Sequence, residues 1–468
     1  MKIWLFILVP IYLSLLVFFA FWSKKQNKSS NDFILGGSPL GLFVGFMTVA
    51  ATIFSTFTLM GLPDFFRVHG IGAWIFVAVS DGAMVFGILW FAFHLRRKVA
   101  LKGFNGMSGL LKSCYGTSWA GYIYFIGVFI FLIPYVAIQI RGISIFLEAA
   151  FPAALPSWGW AIVIVVVMLF YSETGGLKAI IYADVLQGVI LMAAVWIIAA
   201  TCMQSFGGVR NMFAQVEMIE PGLLSTPGPH GLFSIQFLVA TFVVIQFYPS
   251  TQPQIVIRIA IMKDLKAAQR MAVALGCFTM LVFIPTIAIG LYGAVHYANL
   301  STADFLSQAL LFDQLGWVAA VTIIGLIAAA LSTSDSQIFA LGTELRSLLI
   351  HRKSNVMLLT RLAIAFFAIA SLLFSIVSSD QLVLLARVSF AGTALLGPMV
   401  MLAILTTQAP GKEILVATAV SIFLFVNSLT GSIPEVILGM RMDLLLMMEL
   451  SLVALLSNWL RKYPNQNK

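Results

Sequence analysis

Thirteen apolar runs, most of them about 20 residues long, limit what this chain can fold into more than any other feature. A helix needs about 20 apolar residues to cross a bilayer. Inside the bilayer each segment must also bond its own backbone polar groups. With 61% apolar and only 10% charged residues, the sequence predicts an all-α polytopic membrane protein and excludes a soluble enzyme or a β-barrel.

We interpret residues 1–468 as one membrane transport domain without an appended soluble domain. The predicted helices cover residues 3–22, 41–63, 72–95, 118–148, 157–172, 179–205, 232–249, 272–296, 316–343, 355–377, 381–405, 413–430 and 442–461. Residues 303–315 are predicted to form a short interfacial helix.

The 27 Lys and Arg residues are divided unequally between the two sides of the predicted bundle. With Met1 outside, 21 of them fall in or beside alternate loops, for example Lys24, Lys98 and Arg258, and six on the other side. Cytoplasmic loops carry such an excess. We therefore expect a multi-pass protein of the plasma (inner) membrane with its N-terminus outside and its C-terminus cytoplasmic. The net charge of +9 then reflects topology and a lipid bilayer, not a nucleic-acid partner.

The helix count predicts an inverted repeat. If residues 3–22 form an extra N-terminal helix, the next ten helices divide into groups of five at 41–205 and 232–405. Because five is odd, the second group must run with inverted orientation, as in many transporters. Two peripheral C-terminal helices, within 413–461, complete the set.

Corresponding helices of the two groups carry similar interruptions. The first helix of group one contains a Ser/Thr tract from Thr52 to Thr58 ahead of Gly61 and Pro63. The first helix of group two ends in the segment 246–253, where Pro249 and Pro253 are predicted to prevent regular helix. Transporter sites form where paired helices unwind near the midplane. The alternative is that these hydroxyls only bond their own helix carbonyls.

Several kinds of chemistry are excluded by what the sequence lacks. All five histidines fall in loops or near helix ends, which argues against a haem or a buried zinc site. No phosphate-binding GxxxxGK[ST] motif is present. We therefore expect no enzyme activity and no cofactor, and an ion gradient as the energy source.

Ionisable residues inside membrane helices are functional candidates by default because each costs a few kcal/mol at mid-depth. Four belong to this class: Asp81, Asp184, Asp335 and Glu449. Asp335 lies among hydroxyls in the stretch 332–336, which supplies hard oxygen ligands for a small cation. Salt bridges remain the alternative for Asp335 and for Asp184, the latter with Lys178, and Glu449 is assigned only a polar contact between helices.

Four segments make the chain similar to the sodium/solute symporter family. They are Tyr171-Ser-Glu-Thr-Gly-Gly-Leu-Lys-Ala-Ile-Ile-Tyr-Ala-Asp-Val-Leu-Gln187, Ala329-Ala-Leu-Ser-Thr-Ser-Asp-Ser-Gln337, Met60-Gly-Leu-Pro63 and Gln252-Pro-Gln-Ile-Val-Ile-Arg258. The likeness extends from about residue 30 to 410 and includes the sodium/proline, sodium/pantothenate and sodium/galactose transporters.

This resemblance implies a leucine-transporter-type five-plus-five inverted repeat and sodium as the coupling ion. The main sodium site is carried over by motif to the carbonyls of Ala51, Phe54 and Ala329 and the hydroxyls of Ser332 and Thr333. A second sodium site, held by some members, corresponds to Asp184 with Ser332 and Ser336, near Asp335. The galactose branch has a gating tyrosine that corresponds to Tyr248.

The sequence also departs from particular branches of the family. The sodium/proline branch has an acidic residue at the position of Ile53, and the sugar branch has a polar residue at Ile245. Both departures weaken those substrate assignments. The substrate and gate residues that we propose are Thr58, Asp81, Gln139, Gln246 and Tyr248. With Arg141 and Arg387 near the outer side, they suggest a small carboxylate, although both arginines could instead bind interfacial carbonyls or lipid phosphates.

The leading functional hypothesis is a sodium-driven symporter that imports a small organic solute by alternating access and works as a monomer. A membrane-embedded sensor with a separate signalling partner is one alternative, because this fold also occurs as the input module of some histidine kinases. Proton coupling through Asp184 or Asp335 is the other.

Overall fold

The computed structural model describes residues 1–37, 39–349, 356–378 and 382–462. Most of these residues are helical. The α-helices are α1 Lys2–Gln26, α2 Ser30–Leu35, α3 Leu42–Ile53, α4 Leu62–His69, α5 Ser80–Lys102, α6 Met107–Tyr115, α7 Ser118–Ala150, α8 Ser157–Ser205, α9 Val209–Ile219, α10 Ile235–Thr251, α11 Pro253–Ile261, α12 Leu265–His296, α13 Thr302–Ser307, α14 Gly316–Leu349, α15 Val356–Val377, α16 Leu382–Ala394, α17 Gly397–Leu405, α18 Glu413–Leu429 and α19 Met442–Lys462. One short hairpin, β1 Val436–Ile437 with β2 Met440–Arg441, precedes the last helix.

Nine helices within the described residues are long and apolar enough to cross a membrane, and the bent pair formed by α3 and residues 57–69 adds a tenth. The 49-residue helix α8 has the length of two spans. Helices α10 and α18 are shorter apolar helices. Counted in this way, each of the thirteen predicted runs has a helical counterpart.

Several predicted helix boundaries were wrong. The two predicted helices 157–172 and 179–205 are separated by a kink at Gly176, as predicted, but no loop lies between them, so both are included in α8. The predicted helix 381–405 is divided into α16 and α17, and its first residue lies outside the described residues. The predicted interfacial helix 303–315 is α13 followed by a π-helical turn that ends at Phe312.

Gly176 marks a kink within α8 and explains the Gly-Gly pair of the sequence motif. Its φ of 67° and ψ of −164° fall in a region that only glycine adopts easily. A Cβ at Gly176 would lie 2.5 Å from the carbonyl oxygen of Phe33, and one at Gly175 would lie 2.9 Å from that of Ala20. The two glycines therefore permit both the turn and the close approach of α1 and α2.

Both interrupted helices predicted from the sequence are broken in the structure. Helix α3 ends at Ile53, and a π-helical turn, Phe57–Gly61, leads into α4 with an overall bend of 55°. In the second repeat the break lies at Gln252, between α10 and α11. Pro249 lies inside α10, so the expectation that it ends the helix was wrong.

The broken helices lie against the most buried part of the bundle. Helix α14 contacts α8, α7, α3 and α11, and almost its whole length is buried. Helix α1 packs along α8, whereas α18 and α19 pack mainly against each other and the neighbouring α7, α16 and α17. This arrangement brings the break in α3 next to the Ser/Thr stretch of α14.

Candidate functional site

Hydroxyl and carbonyl oxygens meet where α14 passes the break in α3. The Ser332 hydroxyl donates to the carbonyl oxygens of Ala51 at 2.9 Å and of Ala329 at 3.1 Å. The Thr333 hydroxyl donates to the carbonyl oxygen of Thr52 at 3.2 Å. All five residues are buried. Three of the five residues assigned to the main sodium site, Ala51, Ala329 and Ser332, are thus joined directly by hydrogen bonds, and a fourth, Thr333, bonds to the neighbouring Thr52.

Phe54, the fifth of those residues, is the first residue after α3. Its backbone is extended, with φ −87° and ψ 109°, so it leaves the helical path at this point. Next to it, the backbone N–H of Thr56 donates to the side-chain oxygen of Gln139 at 2.9 Å. Gln139 therefore stabilises the unwound backbone rather than lining the cavity described below.

A buried ion pair lies beside this cluster. An Arg258 guanidinium nitrogen is 2.8 Å from the Asp184 carboxylate, and the side chains are 1% and 0% exposed. Arg258 also donates to the hydroxyls of Thr48 at 2.7 Å and Ser336 at 2.6 Å. The sequence placed Arg258 among inner-loop charges, which was wrong, and the salt-bridge alternative for Asp184 named Lys178, whereas the partner is Arg258.

Part of this region has unused polar atoms. One Asp184 oxygen and both Asp335 oxygens are buried and have no hydrogen-bond partner among the described residues. The Ser334 hydroxyl and both polar atoms of the Gln337 amide are also buried without a hydrogen-bond partner among the described residues. Buried polar groups are normally bonded, so this segment of α14 has the capacity to bind a cation or ordered water.

An aromatic cavity adjoins the break on its other side. It is narrow, with a volume of about 30 Å³, and the substrate candidates Thr58, Asp81 and Tyr248 line it. Gln246 does not, because its amide nitrogen donates to the carbonyl oxygen of Ser80 at 3.2 Å. The other residues that line the aromatic cavity are Ile53, Phe54, Phe57, Met84, Tyr135, Ile245, Phe283 and Phe390.

The two arginines that suggested a carboxylate have other positions. Arg141 lines a separate pocket with Ser144 and Trp158. Arg387 lines a second cavity, but its guanidinium lies 2.6 Å from the carboxylate of Asp443 and 4.8 Å from the centre of the Phe237 ring. Neither arginine lines the aromatic cavity.

Two contributors to the site were missed by sequence reasoning. Thr48 had not been selected, although it lies one helical turn before Thr52 and therefore on the same face. Asp443 lies in the first turn of α19, after the segment with family motifs, and nothing in the local sequence connects it with Arg387.

Two broken helices that lie at the centre of a membrane bundle, beside an oxygen cluster and an aromatic cavity, define a secondary transporter. A sequence model described as the sodium:solute symporter family matches residues 33–420. The chain belongs to this family.

Relatives with assigned names agree with this placement. The chain is 25% identical to the osmoregulated proline transporter OpuE of Bacillus subtilis (strain 168), over 86% of this chain and 84% of that one. It is 24% identical to a sodium/pantothenate symporter of Haemophilus influenzae, over 68% of this chain and 66% of that one. The predicted function class is confirmed: the protein is a sodium-coupled symporter and not an enzyme.

Solved structures confirm the predicted fold. A Na⁺-coupled sialic acid symporter in a substrate-bound outward-open state matches with a TM-score of 0.79 at 19% identity, over 97% of both chains. MhsT in complex with L-phenylalanine matches with a TM-score of 0.57 at 13% identity, over 90% of this chain and 99% of that one. The fold is therefore the leucine-transporter type.

Proposed function

We propose that this symporter imports a small organic solute and binds its main sodium ion between α3 and α14. The ligands are the carbonyls of Ala51, Phe54 and Ala329 and the hydroxyls of Ser332 and Thr333. The observation that carries this proposal is the contact of the Ser332 hydroxyl with two of these carbonyls, at 2.9 and 3.1 Å. A bound sodium would replace these hydrogen bonds with ion–oxygen contacts, so the site couples the broken helix to α14.

The main site is tested by substituting its hydroxyls. Ser332→Ala and Thr333→Ala should each raise the sodium concentration for half-maximal uptake, because each removes one oxygen ligand. Ser371→Ala is a control, since Ser371 is a buried serine like Ser332 but lies on α15 and has no hydrogen-bond partner among the described residues, and it should leave this concentration unchanged. Unchanged sodium dependence in both site variants would remove the assignment, provided that protein abundance is comparable.

A second sodium ion near Asp184, Ser332, Asp335 and Ser336 remains part of the proposal. It is supported by the unpartnered oxygens of both carboxylates. Arg258 already contacts Asp184 and Ser336, so the ion would share these ligands with a guanidinium or displace it. The rival interpretation is that Asp184 serves only the ion pair with Arg258.

The number of ions determines how far the solute can be concentrated. A charge that crosses about 100 mV gains roughly 2.3 kcal/mol, and a tenfold gradient adds about 1.4 kcal/mol. One sodium could therefore concentrate a neutral solute about 500-fold, and two could reach on the order of 10⁵-fold. Reversal potentials in proteoliposomes distinguish these values. A decrease from two ions to one in Asp184→Asn would support the second site, and one ion in the wild type would exclude it.

For the solute, we propose binding in the aromatic cavity, with Thr58, Asp81 and Tyr248 in its wall. Gln139 and Gln246 act as positioning residues through their backbone bonds. Relatives that carry proline and pantothenate favour a small organic solute. The cavity of about 30 Å³ would have to widen to admit it. A carboxylate on the solute stays a prediction, and the arginines that suggested it lie elsewhere.

We further propose transport across the plasma membrane by a monomer with its N-terminus outside and its C-terminus cytoplasmic. The distribution of Lys and Arg supports this orientation. Single cysteines placed near Lys24 and near Arg210 would test it, because a membrane-impermeant thiol reagent applied to intact cells should label the second and not the first. The reverse pattern would contradict the orientation.

A further inference from the structure

Asp81 occupies a special position between two neighbouring cavities. The first is the aromatic cavity, and the second, with a volume of about 40 Å³, is lined by Arg387. Asp81 lines both of them, as do Phe57, Ile245 and Phe390. The side chain of Asp81 therefore lies where the two cavities adjoin.

This carboxylate has no partner within the described part of the chain. Neither a hydrogen bond to its oxygens nor a Lys, Arg or His nitrogen within 4.0 Å is found there. Among the described residues, Arg387 is the one arginine that lines either cavity, and it pairs with Asp443, a carboxylate that Arg441 also contacts. Keeping an unpaired acid at membrane depth costs free energy, and such residues mark ligand or ion pathways.

The walls around Asp81 suit a cation. The rings of Tyr135 and Phe390 have centroids 4.8 Å apart, and those of Tyr248 and Phe390 are 5.2 Å apart at an angle of 89°. Aromatic faces attract ammonium groups electrostatically, most strongly where water is excluded. The buried Tyr248 hydroxyl has no hydrogen-bond partner among the described residues, so it is available to a second polar group of the same ligand.

We propose that the transported solute carries an ammonium group and that this group binds between the Asp81 carboxylate and the aromatic rings. This inference rests on the proposed function, because it names the chemical class of the solute in that same cavity. It covers amines and zwitterions, in which a carboxylate accompanies the ammonium. A solute with only a carboxylate would place like charge against Asp81 and should be rejected.

Binding of matched probes tests the proposal on the purified full-length protein in sodium. Choline and trimethylglycine carry a quaternary ammonium, and proline carries a secondary one. The matched probes 3,3-dimethylbutanol and 3,3-dimethylbutanoate replace the quaternary nitrogen of the first two with carbon. We expect sodium-dependent thermal stabilisation by at least one ammonium probe and by neither carbon analogue.

Variants show whether Asp81 is responsible. Asp81→Asn should weaken binding of the ammonium probe by about tenfold or more, since a bond to a charged group is lost. Glu449→Gln removes an exposed acid of α19 and should leave binding unchanged. Unchanged affinity in Asp81→Asn would overturn the proposal, and so would stabilisation by the carbon analogues or by no ammonium probe at all.

The outcomes also separate this inference from the proposed sodium site. Sodium alone should stabilise the wild type and Asp81→Asn, and should do so less in Ser332→Ala. If that pattern holds while ammonium probes fail, only the ammonium assignment is wrong. If sodium has no effect on the wild type, the proposed sodium site fails instead. A pH dependence of uptake that disappears in Asp81→Asn, without an effect on ammonium binding, would make Asp81 a proton carrier and overturn the proposal.

Discussion

Removing one charge of the Asp184–Arg258 pair should destabilise the protein more than the loss of an exposed ion pair. The two side chains are 0% and 1% exposed, and their charged atoms are 2.8 Å apart. Breaking such a pair leaves an uncompensated buried charge, which costs about 3–5 kcal/mol. We therefore expect a loss of that size in the free energy of unfolding for Asp184→Asn and for Arg258→Met.

The double variant distinguishes this electrostatic explanation from simple loss of packing. In the double variant both charges are absent, so no buried charge is left without a partner. The hydrogen bonds that Arg258 makes to Thr48 and Ser336 are still lost. The double variant should therefore be more stable than Arg258→Met. Its loss should also fall short of the two single losses added together by at least about 2 kcal/mol.

The measurement is equilibrium unfolding by denaturant in one detergent, with pH and sodium held constant. Glu173→Gln is the control, because it breaks a more exposed ion pair. Its partner is Arg361 at 3.5 Å, and the side chains of Arg361 and Glu173 are 51% and 25% exposed. Exposed pairs contribute at most about 1 kcal/mol. Additive losses in the double variant, or a control loss as large as that of Asp184→Asn, would refute the reasoning.

The remaining predictions concern the gate and the kink. Tyr248→Ala removes a ring that packs at right angles on Phe390, so it should impair solute accumulation more than solute exchange in proteoliposomes. Tyr248→Phe should retain most of both activities. Normal accumulation in Tyr248→Ala would exclude a gating role for Tyr248. Gly176→Ala should lower the free energy of unfolding by about 1–3 kcal/mol, because its φ is 67° and the new Cβ would meet the Phe33 carbonyl oxygen. If Gly176→Ala has the same free energy of unfolding as the wild type, measured by the same denaturant unfolding, the explanation by backbone strain is wrong.

The membrane-spanning architecture could be predicted from the sequence because its cause is local. A run of apolar residues must become a helix in lipid wherever it occurs, and an odd number of helices per repeat determines the inversion. The interruption after Ile53 was also predictable, since Ser, Thr, Gly and Pro weaken a helix through their own geometry. The break in the second repeat was predicted too close to Pro249, because Pro249 is accommodated inside α10.

The contacts that form the site were decided by the tertiary structure, because they join residues far apart in the chain. Ser332 contacts the carbonyl of Ala51 across 281 positions, and Arg258 contacts Asp184 across 74. The sequence motifs selected Ser332 and Asp184, but they placed Arg258 in a loop. Whether a buried charge is paired depends on which helix packs beside it, and the local sequence does not predict which helix that is. For the same reason, only the packed bundle shows that Arg387 shares Asp443 with Arg441, while Asp81 has no partner among the described residues.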